Sequence, residues 1–325
     1  MIFHISKSND CYFNLALEEM FLREYEDEVF MLWQNDNTIV VGKNQNTLSE
    51  INSDFVKEKG IRVVRRITGG GAVYHDMGNI NFTYITHHDG EWERDFSRFA
   101  KPVIDVLRKL GLDANISGRN DILANNRKIS GNAQTVINNR ILHHGTLLVN
   151  SDVSAIVNSL KPDEEKIRSK GIRSISSRVA NISQLLGRRI ASSEMFSLIE
   201  CEVKRLYNAK NYDLSEKEIE YVEKLAESKY RTWEWNFGYS PKYSFEKKMR
   251  FDGGCISTCM DVCEGKIVSV KIYGDFFGIK DVSDVENALC GIYHRESDIC
   301  ETLKMFDLND YFGKISKEEL VQVFL

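Results

Sequence analysis

The stretch on which the fold reading turns is Arg65-Arg66-Ile67-Thr68-Gly69-Gly70-Gly71-Ala72-Val73-Tyr74-His75-Asp76. Residues 61–67 read as a strand that runs into three consecutive glycines. Three residues without a Cβ let backbone N–H groups approach an anion closely. Arg66 beside them offers a forked, permanently charged donor suited to a carboxylate or phosphate. A tight hairpin with glycines at positive φ is the other use of such a run, and the triplet by itself leaves both open. No Gly-Lys-Ser/Thr follows, so this is not a P-loop. No helix follows either, so it is not a dinucleotide fingerprint.

Upstream of that stretch, residues 14–23 predict a helix with Asn14 as N-cap. Residues 29–33 and 38–41 read as short buried strands, and residues 50–59 as a helix ended by Gly60. Downstream, Ile80, Phe82 and Tyr84 alternate with polar residues, the period of a half-buried strand. Phe96, Phe99, Val103, Val106, Leu107 and Leu110 recur at helical spacing, closed by Gly111. Short strands are expected near Ile122, Lys128 and Val136 and over residues 141–149. Two helices follow, one over residues 193–207 and one from Ser215, which has capping-box spacing to Glu218.

The character of the elements changes near residue 245. Residues 249–261 and 267–273 read as a hairpin turning at Glu264-Gly265, and helices then run to Leu325, one from Ser316. The expected fold class is α/β (α+β): a large mixed-sheet domain over residues 1–245 and a smaller α+β domain over residues 246–325. A chain of 325 residues exceeds one comfortable core, which agrees with two domains.

The net charge of −5, with Lys and Arg scattered among acids, leaves no basic footprint for nucleic acid or an anionic membrane. The N-terminus lacks a secretory pattern, and no apolar run is long enough to span a bilayer. A cytoplasmic monomer is expected. Seven cysteines, an odd number spread over a long chain, read as reduced thiols. Cys255, Cys259 and Cys263 are spaced by four and are expected to be core residues, because no nearby histidine completes a zinc pattern.

Two further stretches carry candidates. Gly118-Arg119-Asn120-Asp121 precedes Arg127-Lys128-Ile129-Ser130-Gly131-Asn132-Ala133. A lysine in a short strand beside small residues can reach into a pocket and bridge two anionic oxygens, although most lysines on edge strands are merely solvated. His143-His144 sit next to each other on a strand and face opposite ways. They cannot chelate one metal as a pair, and a hydrogen-bonding role is expected. No metal-ligand set is expected anywhere in the chain.

The strings "RRITGGGAVYHDMGNINF", "GRNDI", "KISGNA", "HHGTLL" and "GIRSISSRV", with "TWEWNFG" at residues 232–238, occur in the order and spacing of the lipoate–protein ligase family. The resemblance covers nearly the whole chain, since residues 246–325 resemble that family's accessory domain. It implies the fold shared with biotin–protein ligases. Arg66 and the loop Gly71, Ala72, Val73, Tyr74 match the family's ATP-contacting positions, and Gly70 and Asn79 in the same string are further cofactor-binding candidates. Lys128 matches the lysine that contacts both the lipoyl carbonyl and the adenylate phosphate. Ile172, Arg173, Ser177, Arg178 and Val179 belong to the adenylate-binding loop, which closes over the intermediate. Asp121 and His144 match pocket-side positions, Asp121 as a candidate base for the incoming lysine.

The resemblance implies that lipoate is activated by ATP with Mg²⁺ to lipoyl-AMP and pyrophosphate. The lipoyl group then passes to a lysine of a carrier, such as the glycine-cleavage H protein or the acyltransferase subunits of 2-oxoacid dehydrogenases. Chemistry agrees: attack of a carboxylate on phosphorus needs two anions neutralised and held in line. The mixed anhydride must then be kept from water. Trp33, Val41 and Val73 are candidates for lining the acyl chain. Opening for the carrier after sealing for adenylation leads to the expectation that the small domain swings. Two alternatives are a cysteine-dependent octanoyl or lipoyl acyltransferase and a non-catalytic lipoate or adenylate sensor. The first needs a thiol near these motifs, where Cys11 and Cys201 are the large domain's only candidates. The second should lack Lys128 or Arg66, and both are present.

Overall fold

The structure is a computed structural model that describes residues 1–88, 96–117, 120–161, 179–240, 243–274, 276 and 280–325. The chain packs as two compact units: residues 1–45 with 49–232, and residues 46–48 with 233–325. The break expected at 245 falls inside a strand, Tyr243–Phe251, that pairs along its length with the next one. The second unit therefore begins earlier. It also takes in Thr47, whose hydroxyl donates to the Asn236 carbonyl at 2.6 Å.

The first unit is built on an eight-stranded mixed sheet. Its strands are β1 (Ile2–Ile5), β2 (Val29–Trp33), β6 (Asn79–His87), β7 (Ala114–Ser117), β8 (Asp121–Ala124), β9 (Arg127–Ile137), β10 (Arg140–Leu148) and β11 (Lys210–Asn211), in the order β11-β1-β2-β6-β10-β9-β8-β7. A three-stranded sheet, β4-β3-β5, joins β3 (Thr38–Val41), β4 (Arg62–Arg65) and β5 (Val73–His75). The strands expected over 29–33 and 38–41 form at those limits. The segments expected separately near Lys128 and Val136 are one strand, β9.

Strand β6 reads as half-buried but is buried on both faces. On one side Ile80, Phe82 and Tyr84 join a core with Phe99, Val103 and Leu107 of the helix Phe96–Lys109 and Met195, Ile199 and Val203 of Ser192–Tyr207. On the other side Thr83 donates to Glu18 of the helix Cys11–Glu24 at 2.5 Å. Alternation marks the polar face correctly, but that face is covered rather than wet. The same helix starts three residues before the expected cap. Asp10 caps it, accepting from Tyr12 N–H, while Asn14 is buried and donates to the Ser8 and Gln34 carbonyls.

The second unit is a three-stranded antiparallel sheet of β12 (Tyr243–Phe251), β13 (Gly254–Cys263) and β14 (Lys266–Gly274). Glu264 and Gly265, both at positive φ, turn β13 into β14. Ile256, Met260 and Val262 pack against the helices Ser283–Leu289, Glu296–Leu303 and Lys317–Phe324. Ser316 closes a capping box with Glu319. The cysteine expectation is corrected here: Cys255, Cys259 and Cys263 lie on the opposite, partly exposed face. Larger apolar side chains at even positions take the helix-covered face, so the odd positions turn outward. A four-residue strand spacing separates successive thiols by about 13 Å, too far to share one metal.

Candidate active site

The glycine run crosses from β4 to β5 over the end of β3. Its shape is set by close backbone packing. A Cβ on Gly42, just past β3, would lie 2.1 Å from the Gly70 carbonyl oxygen. Gly70 itself has φ +93°, a conformation that glycine supplies without a steric penalty.

Arg66 holds this loop from inside. It is 5 % exposed, and its guanidinium donates to the carbonyls of Val40 (3.1 Å), Gly69 (2.6 Å) and Gly71 (2.9 Å) and to the Thr68 hydroxyl (2.9 Å). Burial lowers its pKa to about 10, with the Glu18 charge opposing, so it stays cationic at neutral pH. Arg65, fully buried, clamps the preceding turn through the carbonyls of Gly42, Lys43 and Gln45.

Between this loop and the polar face of the large sheet lies a cavity of about 140 Å³. Arg66, Gly70, Gly71, Ala72 and Val73 line it from the loop, Trp33 and Asn81 from the sheet, and Lys128, Asn132, His144 and Thr146 from β9 and β10. Leu15 and Val40 add apolar surface. The cavity thus has an apolar wall beside two cations, the layout for an acyl chain ending in an anion.

Lys128 is brought here by an irregularity in β9. The pairing Ile122↔Ser130 is followed by Leu123↔Lys128, so Ile129 is an extra residue and the alternation resets. The Lys128 ammonium rests 2.7 Å from Asp121, both side chains about one third exposed. Val179 forms a parallel bridge with Lys128, and the Ala180 N–H donates to the Lys128 carbonyl at 2.9 Å.

His143 and His144 do face opposite ways. His143 stacks on Phe99 in the core, with ring centroids 5.2 Å apart. His144 faces the cavity side, its Nδ1 3.0 Å from Glu18 and its Nε2 2.8 Å from the Thr68 hydroxyl. Of the expected acyl-chain residues, Trp33 and Val73 line the cavity. Val40 does so in place of Val41, which alternation turns away. Tyr74 donates to Asn37 and Asn79 donates to Asn81, and neither Tyr74 nor Asn79 is among the residues lining the cavity. Ile172, Arg173, Ser177 and Arg178 lie outside the described residues. Leu15, Glu18, Thr68, His75 and Asn81 escaped the sequence reading; the one available signal was the pair of acids, Glu18 and Glu19, inside an apolar helix.

Two expected results follow from this geometry. A Cβ at Gly71 would meet nothing within 4 Å, and its φ is not positive. Gly71→Val should therefore change stability by no more than about 0.5 kcal/mol, as at ordinary surface sites, while its side chain projects where a ligand must pass. Nucleotide affinity by calorimetry should fall clearly; unchanged affinity would reduce the loop to a turn. His75, 3 % exposed, has its pKa lowered to about 3 by burial and then by the charge of Arg66. The unfolded chain binds that proton below the ordinary imidazole pKa, so the stability is present above it and is lost as pH falls towards the folded value. Between pH 7 and 5 the loss is about 2 kcal/mol. Urea unfolding at the two pH values, with His75→Phe as comparison, measures it. An equal pH dependence in the variant would remove His75 as its source.

Comparison with known proteins agrees in both units. Residues 10–204 match the family model described as lipoyl protein ligase A/B catalytic domain, and residues 240–324 match bacterial lipoate protein ligase C-terminus. Lipoate–protein ligase 1 of Staphylococcus aureus is 44% identical over 323 residues, 98% of each chain. The chain belongs to the lipoate–protein ligase family. The ligase LplJ of Bacillus subtilis is 43% identical over 97% of each chain. Among solved structures, the fold resembles P. falciparum LipL1 in complex with lipoate (TM-score 0.63, 26% identity, 99% of each chain). It also resembles lipoate-protein ligase A bound with ATP (TM-score 0.62, 26% identity, 74% of this chain and 100% of that one). As a member of this family the chain is an enzyme, an ATP-dependent ligase. No helix among the described residues is long and apolar enough to cross a membrane.

Proposed function

We propose that this ligase converts lipoate and ATP to lipoyl-AMP and pyrophosphate, then passes the lipoyl group to a lysine of a carrier domain. The observation that carries this reading is the cavity in which an apolar wall, Trp33, Val40 and Val73, meets the cations Arg66 and Lys128. The acyl chain lies on the wall and places its carboxylate at Lys128, while the glycine-loop N–H groups face the nucleotide phosphates. There the α-phosphate can be approached in line without two anions repelling. Lys128 leaves Asp121 to bridge the acyl carbonyl and phosphate oxygens. Asp121, released from it, accepts the proton of the carrier lysine in the second step. Mg²⁺ enters as the salt of ATP. It would be held chiefly by the phosphates and water. The first unit forms the catalytic body and the second unit the accessory domain.

A carrier of the 2-oxoacid dehydrogenase type is the expected acceptor, with the glycine-cleavage H protein as the other candidate. The two-part lipoate ligase of Thermoplasma acidophilum was solved in a study that includes its E2 lipoyl domain, and it is 28% identical over 74% of this chain and 98% of that one, with a TM-score of 0.66.

A thioester route finds little support. Cys11 is fully buried, with its thiol pushed up to about 12 by burial, and Cys201 is exposed on the helix Ser192–Tyr207. Neither is among the residues lining the cavity. Incubation with lipoate, Mg-ATP and a lipoyl domain should yield lipoyl-AMP, pyrophosphate and modified domain, and should do so equally when both cysteines are replaced by Ala. A lipoyl or octanoyl thioester trapped on either cysteine, formed without ATP, would overturn the reading.

A further inference from the structure

Glu18 lies under the cavity, 1 % exposed, in the middle of the helix Cys11–Glu24. Its Oε1 accepts two hydrogen bonds that lead in different directions. One comes from His144 Nδ1 at 3.0 Å. A carboxylate can only accept, so Nδ1 carries the hydrogen and Nε2 is free to accept from the Thr68 hydroxyl at 2.8 Å. Thr68 in turn accepts from Arg66 Nε at 2.9 Å. The hydrogens all point one way, from Arg66 through Thr68 and His144 to Glu18. The other bond comes from the Thr83 hydroxyl at 2.5 Å, and Thr83 accepts from the Trp33 indole N–H at 2.9 Å. One arm ends on the arginine that holds the glycine loop, the other on the indole of the apolar wall.

We infer that Glu18 is a positioning residue whose single carboxylate sets both halves of the site, fixing Arg66 and its loop through His144 and Thr68, and Trp33 through Thr83. This rests on the reading of the cavity as the acyl and nucleotide site. The physical reason for such a device is that a guanidinium and an indole buried in one wall each have several rotamers. A continuous chain of satisfied hydrogen bonds in a water-poor interior selects one of them. Thr68, Thr83 and His144 are at most 8 % exposed, so water cannot substitute for a missing member. The register of the sheet makes the junction possible, because His144 on β10 sits opposite Thr83 on β6.

The two arms can be cut separately with isosteric replacements. Titration of the full chain by calorimetry uses a non-hydrolysable ATP analogue and, separately, lipoate. Thr68→Val should weaken the analogue about tenfold and leave lipoate within about twofold, and Thr83→Val should do the reverse. Glu18→Gln, which removes the charge at the junction but keeps the shape, should weaken both. Thr68→Ser and Thr83→Ser, which restore the hydroxyls, should recover parental affinity. A merely structural role would lower the unfolding midpoint in every variant without this division between ligands. Folded Thr68→Val and Thr83→Val variants that bind both ligands like the parent, or lose both equally, would overturn the inference. If the unsubstituted protein bound neither ligand, it is the reading of the cavity that would fall.

Discussion

Lys128→Ala should slow lipoate-dependent pyrophosphate release by about 10²–10³-fold, a loss of about 2.7–4 kcal/mol in transition-state stabilisation, as for the removal of one preorganised donor at a developing oxyanion. The lysine sits at the mouth of the cavity with Asp121 as its resting partner, and its ammonium is only partly exposed. Both features suit a cation that must be ready, yet released, when two anions arrive. Folding should be little affected, because both side chains of the pair it forms at rest are partly exposed and such pairs contribute little. Release at a near-parental rate from a folded variant would remove Lys128 from the chemistry. A loss confined to the apparent affinity for lipoate would instead make it a binding residue.

Arg66→Met should destabilise the large unit by about 3–5 kcal/mol, because it strands several buried acceptors at once. The carbonyls of Val40, Gly69 and Gly71 and the Thr68 hydroxyl all receive their hydrogens from this one guanidinium. Methionine fills the space and supplies none of them. Arg66→Lys should recover only part of the loss, since one ammonium cannot span carbonyls on both sides of the fork. Urea unfolding followed by circular dichroism tests this. A Met variant within about 1 kcal/mol of the parent would mean that the loop holds its shape without the arginine.

Much of the scaffold was legible beforehand because its signals are local. The strands Val29–Trp33 and Thr38–Val41, the helix Ser192–Tyr207 and the capping boxes at Ser215 and Ser316 depend on periodicity, β-branched residues and caps within a few positions. The glycine run and Lys128 stood out for the same reason, since residue types rarely clustered mark themselves. The expectations that shifted each needed a partner distant in sequence. Asn14 gave up the cap to Asp10 because its amide is drawn inward by Gln34 and Asn35. Cys255, Cys259 and Cys263 turned outward because the packed helices choose which face of β13 to cover, and a strand pattern read alone does not say which alternate set wins.

The sequence by itself determined much of the order of elements and the family, both of them properties of contiguous residues, and it marked Gly69 to Gly71 as a loop. Tertiary structure alone decided that Arg66 spends its hydrogens on its own loop. It alone decided that Val40 rather than Val41 faces the cavity, and that Glu18, Thr68, Thr83 and His144 meet. Those residues come from a helix, a loop and two strands, and Glu18 and His144 are 126 positions apart. No local pattern encodes such a meeting. It follows from the antiparallel register of β6 with β10, which sets Thr83 opposite His144, and from the packing of the helix Cys11–Glu24, which lays its buried carboxylate against the pair.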